Sequence, residues 1–240
     1  MDKTLIIIPT YNEKGNIRSL IEQILSTVPQ AHVVVVDDGS PDGTAEIVGT
    51  MAALSGGSIH LICRTGERGL GTAYKVGFAY GLRHAYTLFV TMDGDHSHAP
   101  KHLPDMLTAA QDHDIVIGSR YIREGKTVNW ALWRVLLSWT ANLFARTVLN
   151  VYGNDLTSGY RVYRREILER IDLGQIRSNG YSFLVEMLFY AQRQQAGICE
   201  IPIVFLDRTR GTSKISKHEI YRGAFTLFRL RFHQFFTRKQ

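Results

Sequence analysis

Val33-Val34-Val35-Val36-Asp37-Asp38-Gly39-Ser40 decides how this chain folds. Four β-branched residues in a row, with no polar alternation, read as a strand covered on both faces. Two carboxylates and a glycine then leave it at one end. The segment before it has the other period: Asn16 to Val28 places Ile17, Leu20, Ile21, Ile24 and Leu25 on one helical face. Earlier still, Leu5-Ile6-Ile7-Ile8 is a second unbroken apolar run. Downstream the alternation continues. Helices are predicted over Gly43–Leu54, Thr72–Ala85 and Leu103–Asp112, and strands over Ile59–Cys63, Thr87–Met92 and Ile115–Gly118. Such repetition builds an α/β fold, a Rossmann-like, mostly parallel sheet with helices on both faces.

Ligands of such sheets bind outside the carboxyl ends of the strands. Those ends carry Pro9-Thr10-Tyr11-Asn12-Glu13, Asp37-Asp38-Gly39-Ser40, Asp93-Gly94-Asp95 and Ser119-Arg120-Tyr121, so the chemically capable residues collect on one edge. Asp93 and Asp95, one residue apart on a loop leaving a strand, suit a hard cation such as Mg²⁺ or Mn²⁺. Such an ion neutralises a departing diphosphate. Ser97 can add a hydroxyl, and Gly94 lets a ligand come close. His96 and His98 read as surface or capping residues, because hard cations prefer oxygen. For Asp37 and Asp38 two readings stand: a helix-entry turn capped by Asp42 or Ser40, or a carboxylate hydrogen-bonded to a nucleotide's base or ribose. Tyr11 offers a face to a nucleobase. Glu13 can accept hydrogen bonds from the base while also placing charge in a helix's first turn. Gly66, Gly69 and Gly71 do not form a dinucleotide fingerprint, which sets a dehydrogenase aside.

The 240 residues, 45% hydrophobic and 21% charged, suit one domain with a C-terminal extension. The net charge of +6 is uneven: from Arg208 onward nine Lys and Arg face the single acid Glu219. A solvated face or a polyanionic partner explains this run. No recognisable nucleic-acid module accompanies it, so nucleic acid is not expected. Cys63 and Cys199 lie far apart, outside any metal spacing. Cys63 reads as a core residue, and a reducing compartment follows. The N-terminus enters its first strand with no signal peptide ahead of it. No stretch reaches the ~18 apolar residues of a membrane span. In the second half, Trp130–Asn150 reads as an aromatic helix interrupted by Arg134 and Arg146. Asp155–Tyr163 reads as a polar loop, and Arg164–Ile171 and Tyr181–Gln195 as helices. Ile198–Phe205 reads as one or two strands broken at Pro202, and Lys217–Phe236 as a basic, aromatic helix.

The ordered motifs resemble the family-2 glycosyltransferases of GT-A fold. The carriers are Ile8 to Glu13, Val36 to Thr44 and Asp93-Gly94-Asp95. Further matches resemble the dolichol- and polyprenol-phosphate mannose synthases: Gly69 to Tyr74, Met92 to Pro100, Gly118 to Tyr121, Asp155 to Arg161, Gly180-Tyr181, Asp207-Arg208 and Gly211 to Lys214. They run in family order across nearly the whole chain.

The resemblance implies inverting transfer of mannose from GDP-mannose to the phosphate of dolichyl or polyprenyl phosphate, with Mg²⁺ or Mn²⁺. It implies donor contacts from Pro9, Tyr11, Glu13, Val36, Asp38, Gly94, Asp95, Arg208 and Lys214. Asp93, Asp95 and Ser97 form the implied metal site. Arg120, Arg134 and Ser138 take the acceptor phosphate, and Asp95, Arg120 and Arg208 carry the catalysis. Relatives usually have Ala at the position of Gly94, a mild departure, and Leu at that of His96, which makes the site locally more polar; neither is expected to change the assignment. A phosphate monoester is already anionic near neutral pH, its second pKa being about 6, so no strong general base is needed.

The implied organisation is a glycosyltransferase domain over 1–215, with a nucleotide-sugar and metal half (1–122) and an acceptor half (123–215). A C-terminal basic-aromatic helix over 216–240 follows. Its amphipathic faces, and that of Trp130–Asn150, suit peripheral attachment to the cytoplasmic side of a membrane surface. That membrane is the endoplasmic reticulum in a eukaryote or the plasma membrane in a prokaryote, with or without a membrane-anchored partner subunit. A UDP-glucose-using polyprenyl-phosphate transferase and a non-enzymatic membrane-associated subunit are the alternatives. The intact Asp93/Asp95 pair, Arg120 and Arg208 speak against the second.

Overall fold

A computed structural model describes residues 2–66, 68–207, 223 and 225–232. Its first half alternates as expected: β1 (Thr4–Thr10), α1 (Ile17–Thr27), β2 (His32–Asp37), α2 (Thr44–Leu54), β3 (Ile59–Cys63), α3 (Leu70–Arg83) and β4 (Leu88–Thr91). Then come α4 (Leu103–Ala109), β5 (Ile115–Ser119), β6 (Lys126–Val128), α5 (Leu132–Leu149), β7 (Arg161–Arg164), α6 (Arg165–Arg170), α7 (Tyr181–Arg193), β8 (Ile198–Pro202) and β9 (Val204–Leu206). Residues 225–232 are helical.

Seven strands form one sheet in the order β3-β2-β1-β4-β7-β5-β8, and β6 and β9 pair separately. Only β7 runs antiparallel to its neighbours in the large sheet. Side chains alternate between faces. Leu5, Ile7, Val34 and Val36 pack with α3, α6, α7 and the end of α5. Ile6, Ile8, Val33 and Val35 pack with α1, α2 and α4. Burying each such side chain contributes ~1.5–3 kcal/mol. Helix α3 lies so close to the sheet that a Cβ at Gly77 would stand 2.3 Å from Ile7 Cγ2. Between β1 and β4 the strand order reverses, which opens a crevice at the sheet's carboxyl edge.

Three expectations are corrected. Arg161–Tyr163, read as the end of a polar loop, and Arg164, read as the start of a helix, form strand β7 inside the sheet, between β4 and β5. Arg161 is fully buried and donates to the carbonyls of Leu184 (2.7 Å) and Leu156 (2.6 Å) and to the Tyr163 hydroxyl (3.2 Å). Its neighbours supply acceptors that its sequence cannot show. Cys63 is exposed, because it ends the edge strand β3. His98 is buried rather than superficial.

At the opposite edge of the sheet, His32 and His60 stack with ring centroids 5.8 Å apart, and His32 Nδ1 lies 2.9 Å from the Tyr86 hydroxyl. Burial lowers both imidazole pKa values, helped by Lys3 at His32 and by His32, His84 and Lys3 at His60. A base whose folded pKa lies below its unfolded value binds fewer protons when folded. Stability contributed this way is therefore present above the ordinary value of 6.5 and declines as pH falls through the lower folded values. We expect the urea midpoint to drop between about pH 7.5 and 5. The pair His32→Gln and His60→Gln flattens that slope; an unchanged slope in the double variant refutes the assignment.

Candidate active site

One side of the crevice is built where β1, β2 and α3 meet. Of the two acids after β2, Asp37 is fully buried and structural: its carboxylate accepts from Thr10 Oγ1 (2.8 Å), Ser40 Oγ (2.6 Å) and Ser40 N (2.8 Å). Asp38 turns the other way. It accepts from Arg64 Nε (2.7 Å), pairs also with Arg64 Nη2, and accepts from Gly69 N (3.0 Å). Asp38 thereby ties the glycine-rich turn to β2. Gly69 has φ +152°, and a Cβ there would stand 2.0 Å from Asn179 Nδ2, so only glycine serves. Tyr11 lies under Arg68, whose guanidinium is 4.5 Å from the ring centroid and donates to the phenol oxygen at 2.9 Å. Val36 is wholly buried and presents no surface to the crevice. The sequence reading missed Arg64, Arg68 and Asn179. The basic residues had no motif to mark them, and Asn179 lies 108 residues from its partner Gly71.

Straight after β4, the loop carrying Asp93, Gly94, Asp95 and Ser97 faces the end of β1. Asp95 and Ser97 are buried, and Asp95 Oδ1 accepts from Ser97 N at 3.0 Å. Asp93 keeps 27% side-chain exposure. A Cβ at Gly94 would meet Glu13 Cγ and Thr10 Cγ2 at 3.4 Å, ordinary contact, so alanine would fit there. His98 holds the loop from beneath. Its Nδ1 accepts from Asp93 N at 2.9 Å, which puts the ring proton on Nε2, and it stacks on Tyr160 at 4.9 Å. Burial lowers its pKa despite the pull of Asp93 and Asp95. His96 has positive φ (63°), and its Nε2 lies 2.9 Å from Ser19 Oγ.

The donor set fits a hard divalent ion. Two carboxylates and a hydroxyl share one short loop, and Ser97 Oγ is buried with no hydrogen-bond partner among the described residues. No three His, Cys, Asp or Glu side chains gather as a closed metal cage among the described residues. An ion held here would take its remaining ligands from elsewhere, as Mg²⁺ does from phosphates and water.

Across the crevice, Arg120 leaves β5 buried and paired with Asp155: Nε to Oδ2 at 2.7 Å and Nη2 to Oδ1 at 2.6 Å. Burial opposes both charges, yet the pairing prevails, raising the Arg120 pKa and lowering that of Asp155. The Trp130 ring sits between two guanidinium groups, Arg120 at 5.3 Å and Arg134 at 3.9 Å. Arg134 Nη1 also pairs with Asp207 Oδ1 at 2.9 Å. Ser138, one turn beyond Arg134 on α5, adjoins the Tyr121 hydroxyl. The structure thus brings Arg120, Arg134 and Ser138 together. Two N–H donors at this spot, Trp130 Nε1 and Arg134 Nε, are buried without partners among the described residues. Arg208 and Lys214 lie outside the described residues, as does most of the basic helix over 216–240.

Beside this cluster the surface is apolar. Leu132, Trp133, Leu136, Trp139 and Phe144 of α5 are exposed, as are Phe225, Phe228 and Phe232. Phe144 and Phe228 meet edge to face at 6.3 Å, so the two helices share the patch. Neither 132–149 nor 223–232 contains an acidic residue. Among the described residues no helix is long and apolar enough to cross a membrane.

A switch-point crevice flanked by a nucleotide edge and an Asp-x-Asp loop defines a GT-A nucleotide-sugar glycosyltransferase. The sequence model described as Glycosyl transferase family 2 matches residues 5–172, and the chain belongs to that family. It is 43% identical over 224 residues to a polyprenol monophosphomannose synthase of Mycolicibacterium smegmatis, covering 93% of this chain and 84% of that one. It is 44% identical over 214 residues to an undecaprenyl-phosphate mannosyltransferase of Micrococcus luteus, covering 89% and 88%. Among solved structures it resembles a Pyrobaculum calidifontis mannosyltransferase in complex with GDP-mannose and Mn²⁺, with TM-score 0.61 and 20% identity over 98% of this chain and 64% of that one. At that identity the likeness concerns the fold.

Proposed function

We propose that this enzyme transfers mannose from GDP-mannose to the phosphate of a polyprenyl or dolichyl phosphate. The observation that carries the acceptor half is the pair of buried, unpartnered N–H donors, Trp130 Nε1 and Arg134 Nε, beside the Arg120 and Arg134 guanidinium groups. A buried donor without an acceptor costs roughly 1–3 kcal/mol. Both nitrogens are closed to solvent as they stand, so a phosphate oxygen would relieve that cost only with a small shift of the Trp130 and Arg134 side chains; guanidinium matches phosphate geometry. The relatives named for polyprenol and undecaprenyl-phosphate mannose transfer support the same acceptor class.

In this reading residues 1–122 supply most of the donor side and 123–215 most of the acceptor side, with Arg120 reaching across to the acceptor and Arg208 and Lys214 to the donor. Pro9, Tyr11, Glu13 and Asp38 surround the guanosine end, with Val36 behind them. Gly94 and Asp95 lie against the sugar diphosphate, and Arg208 and Lys214 contact it from the C-terminal segment. Asp93, Asp95 and Ser97 would hold Mg²⁺ or Mn²⁺, and a bound ion would supply positive charge near a diphosphate leaving group. Arg120, Arg134 and Ser138 orient the lipid phosphate. One of its oxygens forms a bond to C1 of mannose from the face opposite GDP. The bond from C1 to the diphosphate oxygen breaks, GDP leaves and the anomeric configuration inverts. The protein's part is to hold two anions together and neutralise the leaving group.

The acid-free apolar patch supports a reading in which the acceptor cluster works at a membrane's headgroup region, with the cytoplasmic side as the proposed face. Trp133→Ser with Phe225→Ser should lower partition onto vesicles containing phosphatidylglycerol by about tenfold or more, from the apolar area withdrawn. Co-sedimentation measures it. Unchanged partition defeats this face as the docking surface, and no binding by the parent chain points to a membrane-anchored partner subunit.

The deciding assay is transfer of labelled mannose from GDP-mannose to undecaprenyl phosphate in detergent, with Mg²⁺ or Mn²⁺, beside UDP-glucose. Metal-dependent product from GDP-mannose alone supports the reading. Product from UDP-glucose alone overturns the donor.

A further inference from the structure

We propose that Asn142 is a positioning residue that fixes the Arg120 guanidinium relative to α5, and so sets the spacing of the two acceptor-side arginines. The inference rests on the acceptor reading given above. Helix α5 is poorly packed along its first half. Its buried residues are Asn142, Ala145 and Leu149, a stripe at helical spacing whose first member is an amide where an apolar residue would ordinarily stand.

The amide uses all of its hydrogen-bonding capacity. Its Oδ1 accepts from Leu156 N at 2.7 Å and Thr157 N at 3.2 Å, which settles its orientation. Its Nδ2 therefore donates, to Ser138 O at 2.8 Å and to Thr157 Oγ1 at 3.2 Å. Thr157 Oγ1 also accepts from Arg120 Nη2 at 2.9 Å and donates to Asp155 Oδ1 at 3.4 Å. Asn142 thus joins the backbone of Ser138 on one side to the Arg120–Asp155 pair on the other. Each donor in this relay meets an acceptor in one direction only, so the relay specifies one arrangement. Leucine in its place would fill the stripe but leave both loop N–H groups without their acceptor and cut the threonine, still bonded to Arg120 and Asp155, off from α5.

Two variants and two readouts test this. Thr157→Val removes the hydroxyl and keeps the shape; Asn142→Ala removes the amide. Both should raise KM for undecaprenyl phosphate roughly tenfold, the scale of one hydrogen bond to a charged group. KM for GDP-mannose stays within about twofold, because the donor edge shares no bond with the relay. Thr157→Ser, which keeps the hydroxyl, restores the acceptor KM. Independently of turnover, the arginine Nε–H signal of Arg120, identified by its loss in Arg120→Lys, should broaden or shift in Thr157→Val and Asn142→Ala. An unmoved Arg120 signal in both variants overturns the proposal, as does a parallel rise of both KM values. If Arg120→Lys itself leaves the acceptor KM unchanged, the acceptor reading fails, while the Arg120 signal still decides the positioning.

Discussion

Replacing Asp95 with Asn lowers mannosyl transfer by about 10³-fold, the scale on which removing one charge-stabilising contact slows an enzyme. Asn keeps the shape and can still accept the Ser97 N–H bond that Asp95 Oδ1 receives at 3.0 Å. What it loses is the negative charge that, in the proposed reading, would hold a divalent ion against the diphosphate. The fold should not suffer, since the substitution removes one of two like charges on a short loop. Three measurements belong together: initial rates with GDP-mannose, the thermal midpoint, and Mn²⁺ binding in the presence of GDP. A collapsed rate with an unchanged midpoint and weakened Mn²⁺ binding is the expected pattern. Turnover near that of the parent protein would sink the metal assignment of Asp93, Asp95 and Ser97.

Breaking the Arg120–Asp155 pair should cost stability as well as activity. Asp155 is fully buried, with Arg120 across it at 2.6 Å. Asp155→Leu strands a buried guanidinium, which costs about 3–5 kcal/mol, or roughly ten degrees in thermal midpoint for a chain of this length. Pairing the change with Arg120→Met removes the stranded charge. The double variant should recover most of the stability but none of the acceptor use. Recovery of both would show that Arg120 serves only the fold. Acid provides a second test. The Asp155 pKa is depressed below its ordinary 3.8 by Arg120. Its contribution is therefore fully present above that value and lost as pH falls through the lower folded pKa. A urea midpoint that does not fall below about pH 3.8 would contradict the pairing.

Much of the site was readable because strand ends announce themselves. The runs Leu5–Ile8 and Val33–Val36 could only be doubly covered strands, and the carboxylates following them had to reach one edge. The Asp93–Ser97 loop was found this way. The acceptor side was harder. Arg120 stood out at a strand end, but its acceptor role, like Arg134 and Ser138 themselves, came from a resemblance, because Arg134 alone looks like any surface cation on a helix. Trp130 looked like one more apolar residue, and the structure makes it the surface between two guanidinium groups. The capping half of the His98 reading stands, since its Nδ1 accepts from Asp93 N, but its burial had no sequence sign.

Local chemistry, then, is what the chain states by itself. Hydrophobic period distinguishes strand from helix, and a glycine or a pair of acids marks where a strand gives way to a ligand, since both depend on neighbours within a few residues. Tertiary structure decided how the charges are spent. Asp37 went to the turn and Asp38 to the Arg64 and Gly69 side. Arg161 went inside a strand, supported by carbonyls from Leu156 and Leu184. Asn142 was assigned to a loop fourteen residues away. A buried polar group is tolerated only where partners converge on it, and those partners come from elements far apart in the chain.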